Sequence, residues 1–257
     1  MIKTIPCDVD GYTIQWYDSL TSTNDKATEL ALLSVNEGAA VITDDQTKGR
    51  GQRQNSWESE KGQNMTFSLI IYPQFLLAEQ QFLISKITSL AVCNYLGSMD
   101  IDARIKWPND IYIDDHKVTG ILIENSIIGE HISFSILGIG INLNQESFNK
   151  DILNPISVFQ KTGKKTDIFK GLNHLLYHFN KWYNMLKNNE QATINNSYLQ
   201  HLYRKEGFHL YKSNERTFKA KIAGILNNGE LVLEEENGNI SHYAFKEISY
   251  VLPLLAH

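Results

Sequence analysis

The chain of 257 residues is poor in cysteine. Its two cysteines, Cys7 and Cys93, lie far apart with no ligand-type spacing, which argues against a disulfide framework or cysteine-based zinc site and points to a reducing compartment. No apolar run approaches the length of a membrane span, and the stretch through Asp18 lacks the cationic start, apolar core and small-residue cleavage site of a secretory leader. Positive charge is not in excess either. With a net charge of −5 at pH 7 and a pI near 5.9, the surface as a whole is not built for nucleic acid or anionic lipid, so any cationic site must be local. The common nucleotide fingerprints are also missing: no G-x-x-x-x-G-K-[ST] occurs, Gly49-Arg50-Gly51 has no third glycine at the dinucleotide spacing, and Gly138-Ile139-Gly140 runs into further apolar residues. The expectation is a soluble, cytoplasmic protein, not associated with a membrane, with neither a P-loop nor a dinucleotide fold.

What the chain does have is concentrated first in residues 44–64. Gly49, Gly51 and Gly62 let the backbone approach a ligand closely, while Lys48, Arg50 and Arg53 offer donors suited to carboxylate and phosphate. The segment lies between two apolar runs, 39–43 and 65–72, and a connection of that length is usually functional or disordered. Trp57 in its middle argues against disorder, because a large aromatic needs something to pack on. This reads as an anion-binding loop.

Apolar periodicity predicts strands at 13–17, 39–43, 65–72, 103–107, 110–113, 117–125 and 131–141, and helices at 26–34, 79–96, 167–187 and 191–203. Ser22-Thr23-Asn24-Asp25 supplies cap candidates for the first helix, and Asp114-Asp115-His116 reads as a hairpin turn. From Gly207 the texture changes to short alternating runs at 209–212, 217–225, 230–234 and 240–245, broken by Asn227-Asn228-Gly229 and Asn237-Gly238-Asn239. Runs of that length imply a small barrel or meander. The expected fold is α/β of the α+β kind: a mixed β-sheet domain with helices packed against it, residues 1–206, and a small C-terminal β-barrel domain, residues 207–257.

Four polar or glycyl clusters sit at strand edges: Ser22-Thr23-Asn24, the loop around Gln46 and Gly49-Arg50-Gly51, Lys106-Trp107-Pro108-Asn109-Asp110 with Lys117, and Gly138-Ile139-Gly140-Ile141-Asn142. Singly each is weak, since a lysine beside a strand is usually solvated. Together they suggest one shared anionic ligand. If Ile105 faces the core, Arg104 and Lys106 face the other way, toward a ligand or toward water. Pro108 ends that strand and leaves Asn109 and Asp110 at a bend, where Asp110 could hold a metal ion or orient an amine. His174 and His178 have a metal-compatible i, i+4 spacing without a recognisable acidic partner, so they read as satisfied or surface histidines.

With these clusters in that order, joined by Gln46-Thr47-Lys48 ahead of the glycines, Trp57 and Lys117-Val118-Thr119-Gly120-Ile121-Leu122, the chain resembles the biotin protein ligases from about residue 14 onward. The resemblance implies a mixed-sheet catalytic domain followed by an SH3-like barrel. Because Ser22 lies so near the start, it also implies the monofunctional form without an N-terminal helix-turn-helix, and hence no DNA partner. The implied substrates are biotin and ATP with Mg²⁺, and the implied partner is a biotin carboxyl carrier protein or the carrier domain of a carboxylase such as acetyl-CoA carboxylase. The enzyme would be a monomer or a homodimer.

The resemblance also implies roles for particular residues. Ser22, Thr23, Asn24, Gln46, Lys106 and Gly120 would line the biotin end, and Arg50, Gly51 and Gln52 would cover the acyl phosphate. Arg53, Trp57, Asn109 and Asn142 would lie near the nucleotide, and Lys117 by the α-phosphate. Lys106 and Arg50 would offset the repulsion between two anions, and Asp110 would orient the incoming amine or a metal. Many members carry arginine where this chain has Gln52, so holding the adenylate would fall to Arg53 or Arg50. Two alternatives stand beside this reading: a lipoate-type protein ligase, and a non-catalytic biotin-binding regulatory module.

Overall fold

The computed structural model describes residues 2–52, 55–214 and 216–252. An eight-stranded sheet runs in the order β1-β2-β3-β4-β8-β7-β6-β5: β1 (Ile2–Pro6), β2 (Thr13–Tyr17), β3 (Ala39–Thr43), β4 (Met65–Ile71), β5 (Ala103–Lys106), β6 (Asp110–Ile113), β7 (His116–Ile128) and β8 (His131–Ile141). Only the β2–β3 pair is parallel, which makes the sheet mixed.

Period-two alternation divides its two faces. Phe67, Leu69 and Ile71 of β4 enter the main core with Ile105, Ile111, Ile121 and Ile139, under α2 (Phe82–Gly97), α4 (Ile168–Lys187) and α5 (Gln191–Gln200). Ile70 points the other way, into a smaller cluster with Ala27 and Ala31 of α1 (Thr23–Leu32). All seven residues of β4 are buried, with the main core on one face and α1 packed against the other. α1 covers only part of its face, and the site lies on the remainder.

A five-stranded antiparallel sheet follows, in the order β12-β11-β10-β9-β13: β9 (His209–Ser213), β10 (Arg216–Ile225), β11 (Leu231–Glu235), β12 (Ile240–Tyr243) and β13 (Ser249–Tyr250). This is the small all-β unit expected after Gly207. It packs back on the first sheet through Trp107, whose indole donates to the Gly229 carbonyl at 2.8 Å and meets the Phe245 ring edge-on.

Several elements differ from the sequence expectation. β1 was not expected, because four of its five residues are exposed and it shows no apolar alternation. α1 starts three residues earlier than expected, since Ser22 caps it by accepting from the Asp25 amide. The short α3 (Val158–Thr162) was missed, although Ser157 and Gln160 form its capping box. α5 ends at Gln200 rather than 203, and Arg204 then takes a left-handed turn with φ 55°.

Candidate active site

A cavity of about 460 Å³ lies on the α1 face of the large sheet, closed at one end by residues of the second sheet. Its floor is glycine. Thr66 and Ser68 of β4 pair with Gly140 and Gly138 of β8, and these pair with Gly120 and Leu122 of β7, so all six share one face. The space left by the missing side chains is used twice. A methyl group on Gly138 would overlap Asn24 Oδ1, and one on Gly140 would overlap the Trp57 indole. Trp57 therefore packs on the glycine floor, which answers the question of what it rests against. Its indole N–H is buried and has no acceptor among the described residues.

At one end stand uncharged polar groups from the first turn of α1. Ser22, Thr23 and Asn24 are buried, and Ser68 Oγ lies 2.6 Å from Asn24 Oδ1, to which it donates, and 2.8 Å from Thr23 Oγ1. Thr23 donates to Gln46 Oε1 through its amide at 2.8 Å and its hydroxyl at 3.1 Å, which leaves the Gln46 amide nitrogen for a ligand. Asn24 Nδ2 donates to Glu124 Oε2 at 2.6 Å. A set of oriented donors and acceptors suits a polar uncharged ring.

The cations are arranged around this. Lys106 and Asp110 pair across β5 and β6, on the same face as Gly120. Burial pushes the Lys106 ammonium below an ordinary lysine; Asp110 pulls it back up, while Lys117 and Arg204 press it down further. Lys117 reaches the same face only because the β6–β7 register shifts between Ile111 and Tyr112. That bulge turns Val118 into the core and Lys117 out of it, placing Lys117 Nζ 2.8 Å from Asp110 Oδ1 and 5.9 Å from the Trp57 ring centre. Asn109 prolongs the β6–β7 ladder by donating from Nδ2 to the Ile121 carbonyl at 2.6 Å.

The described parts of this segment, residues 44–52 and 55–64, are folded rather than structureless. The Trp57 amide donates to the Gly49 carbonyl at 3.0 Å, Arg50 bridges Ser56, and the Gly62 amide donates to Asp44, so the loop doubles back as a short hairpin over the cavity. Arg50 is held bidentate by Glu124 at 2.9 and 3.0 Å and by Asp25 at 2.7 Å. Burial opposes its charge, but these two carboxylates outweigh burial and keep it cationic. Gly51 and Gln52 line the cavity, and Gln52 Oε1 is buried without a partner among the described residues.

The structure thus gathers Ser22, Thr23, Asn24, Gln46, Arg50, Gly51, Gln52, Trp57, Lys106, Asn109, Asp110, Lys117 and Gly120 around one cavity. Asn142 does not join its lining. It donates to the Ile156 carbonyl at 3.1 Å and secures the chain beyond β8. Arg53 lies outside the described residues. Arg104, on the Lys106 side of β5, pairs with Asp102 away from the cavity. The rings of His174 and His178 lie tilted with centres 5.1 Å apart on α4, and among the described residues no group of three or more His, Cys, Asp or Glu could hold a metal ion.

Sequence reasoning missed Ser68, Glu124, Tyr112, Lys246 and Tyr250. Glu124 carried a signal, being the one carboxylate in the strand run 117–125. Tyr250 carried none, because only the docking of the second sheet brings it to the cavity.

A family model described as the biotin/lipoate A/B protein ligase family matches residues 16–142. The bifunctional ligase/repressor BirA of Bacillus subtilis is 32% identical over 236 residues, covering 90% of this chain and 72% of that protein. The biotin–[acetyl-CoA-carboxylase] ligase of Paracoccus denitrificans is 31% identical over 225 residues, covering 84% of this chain and 92% of that protein. Among solved structures, a biotin protein ligase from Aquifex aeolicus in complex with biotin and ATP superposes with a TM-score of 0.79 at 25% identity, covering 93% of this chain and 99% of the other.

Proposed function

Because the chain belongs to the biotin protein ligase family, we propose that it joins biotin to one lysine of a carrier protein in two steps, through biotinyl-5′-AMP. In the first step a biotin carboxylate oxygen attacks the α-phosphorus of ATP and the bond to pyrophosphate breaks. In the second the carrier amine attacks the acyl carbon, AMP leaves, and the amine gives up a proton. Relatives named as biotin ligases do not favour the lipoate alternative.

The observation that carries this reading is that one cavity is lined both by oriented uncharged groups from the first turn of α1 and by the cations Arg50, Lys106 and Lys117. The first set suits the ureido ring. The second suits a carboxylate meeting a phosphate, where fixed cations stabilise charge as it develops without having to reorganise. Lys117 takes the α-phosphate, Lys106 the biotin carboxylate, and Arg50 with Gly51 and Gln52 covers the acyl phosphate. Trp57 and Asn109 border the nucleotide. Asp110 is the one carboxylate among the described lining residues, which fits Mg²⁺ held chiefly by the triphosphate and neutralising its charge. Asp110 also orients the incoming amine.

The residue 206/207 division into a catalytic and a C-terminal domain is part of this proposal, supported by the separate hydrogen bonding of the two sheets. So is action without DNA in a reducing cytoplasm, which the acidic balance and two free cysteines support. No helix among the described residues is long and apolar enough to cross a membrane.

The test is incubation with biotin, MgATP and a biotin carrier domain. The carrier should gain the mass of one biotinyl group, and Lys117→Ala should lose that gain. Binding of biotin without any carrier modification would instead support the regulatory module. AMP formation driven by lipoate rather than biotin would overturn the substrate assignment.

A further inference from the structure

Lys106 is a mostly desolvated ammonium, yet among the described residues no carboxylate comes within ion-pair distance of it, because Asp110 is taken by Lys117. What surrounds it instead is aromatic. Its Nζ lies 5.2 Å from the ring centre of Tyr112, on β6, and 5.2 Å from that of Tyr250, on β13. The two rings come from different sheets, so this pair of contacts exists only when the second sheet is docked.

Tyr250 is held from behind. Its ring packs on Tyr211 at 5.0 Å and Tyr203 at 5.9 Å, and the next residue is tied down on both sides: Arg204 donates to the Val251 carbonyl at 3.0 Å and the Val251 amide donates to Leu210. The Tyr250 hydroxyl is buried without a partner among the described residues, so the ring face rather than the polar end is what the site uses.

We propose that Tyr250 is a positioning residue for the ligation reaction: with Tyr112 it holds the Lys106 ammonium by cation–π contact and leaves its charge free for the biotin carboxylate. The physical advantage lies in what is not there. A carboxylate partner would stabilise the buried cation but compete with the substrate anion for it. The negative faces of two rings offset part of the desolvation without supplying a competing counter-ion. The C-terminal sheet thereby completes the catalytic site directly.

This rests on the reading of Lys106 as the cation that meets biotin, and the test separates the two. Biotin-dependent pyrophosphate release and calorimetric titration with biotin are measured on the full chain for Tyr250→Leu, Tyr250→Phe, Lys106→Met and the Leu/Met double variant. Loss of one ring face should raise the KM and Kd for biotin roughly 3- to 30-fold in Tyr250→Leu. Tyr250→Phe should restore most of that loss, as it keeps the face and removes only an unpaired hydroxyl. In the Lys106→Met background Tyr250→Leu should add little. Full biotin affinity in Tyr250→Leu beside an impaired Lys106→Met would overturn the proposal alone, as would Tyr250→Phe being as weak as Tyr250→Leu, or an equal further loss in the double variant. Undiminished biotin binding and pyrophosphate release in Lys106→Met would remove the Lys106 assignment, and the proposal with it. Melting temperatures within a few degrees of one another exclude misfolding as the cause.

Discussion

Lys117 Nζ lies 2.8 Å from Asp110 Oδ1, an ion pair between neighbouring strands with both side chains partly buried at the cavity wall. Each group has a separate task in the proposed reaction, and the pair holds both side chains in the cavity wall. Asp110→Asn should leave biotinyl-AMP formation within about tenfold of wild type, because Lys117 is still in place to meet the α-phosphate. Transfer from preformed biotinyl-AMP to the carrier should fall on the order of 100-fold, the contribution of a positioned proton acceptor. Single-turnover assays of the two halves separate these effects, and an equal loss in both halves would contradict the division of labour.

The environment of Lys106 sets a pH limit. Burial lowers its pKa from 10.5, Asp110 raises it in part, and Lys117 and Arg204 lower it further. Activity requires the charged form, so it is full below the shifted pKa and lost as pH rises through it, ahead of an ordinary lysine. The biotin carboxylate is ionised throughout and adds no limb there. The kcat/KM for biotin in pyrophosphate release, followed from pH 7 upward, should therefore fall below pH 10.5. In Lys106→Arg, whose guanidinium does not titrate in that range, the limb should move out or vanish. An unchanged limb in Lys106→Arg would assign it to another group.

The glycine floor predicts a split between the two substrates. A methyl on Gly138 collides with Asn24, which Ser68 and Glu124 hold in place, whereas one on Gly140 collides with Trp57. Overpacking at such sites costs about 1–3 kcal/mol. Gly138→Ala should raise KM for biotin, and Gly140→Ala should raise KM for ATP and alter Trp57 fluorescence. Identical profiles for the two variants would show that the floor acts as one unit.

How far the site was legible follows from its geometry. The face of Lys106 could be read from the Arg104-Ile105-Lys106 alternation, because an unbroken strand preserves parity and Ile105 is fully buried. The same reasoning fails for Lys117. A simple count from Gly120 puts Lys117 on the core face, and only the bulge between Ile111 and Tyr112 reverses it. Residue type alone showed that Trp57 needs a packing partner, but not that the partner is a surface of missing side chains on two other strands. β1 was invisible because its hydrogen bonds to β2 hold it, not buried side chains. Tyr250 is separated from Lys106 by most of the second half of the chain, and its contact depends on how two sheets dock. No local pattern encodes that.

Gln52 is where this chain departs from the arginine common in its family, and its position makes the departure testable. It lines both the main cavity and a neighbouring one of about 330 Å³, which also opens between Pro108, Asn109 and the second sheet at Gly229 and Phe245. Its carbonyl oxygen is buried without a partner among the described residues. An amide at this junction offers an acyl phosphate one neutral hydrogen bond, where a guanidinium would offer a charge-assisted and bidentate one. The difference is about 1–2 kcal/mol, or roughly 5- to 30-fold in a dissociation rate. Gln52→Arg should therefore slow release of biotinyl-AMP by about that factor, while the rate of its formation, set by Lys117 and Lys106, changes much less. Forming labelled biotinyl-AMP on the enzyme, chasing with unlabelled biotin and ATP, and following label in the filtrate measures the release. An unchanged rate would mean that Gln52 does not touch the acyl phosphate, leaving retention to Arg50 and the Trp57 hairpin.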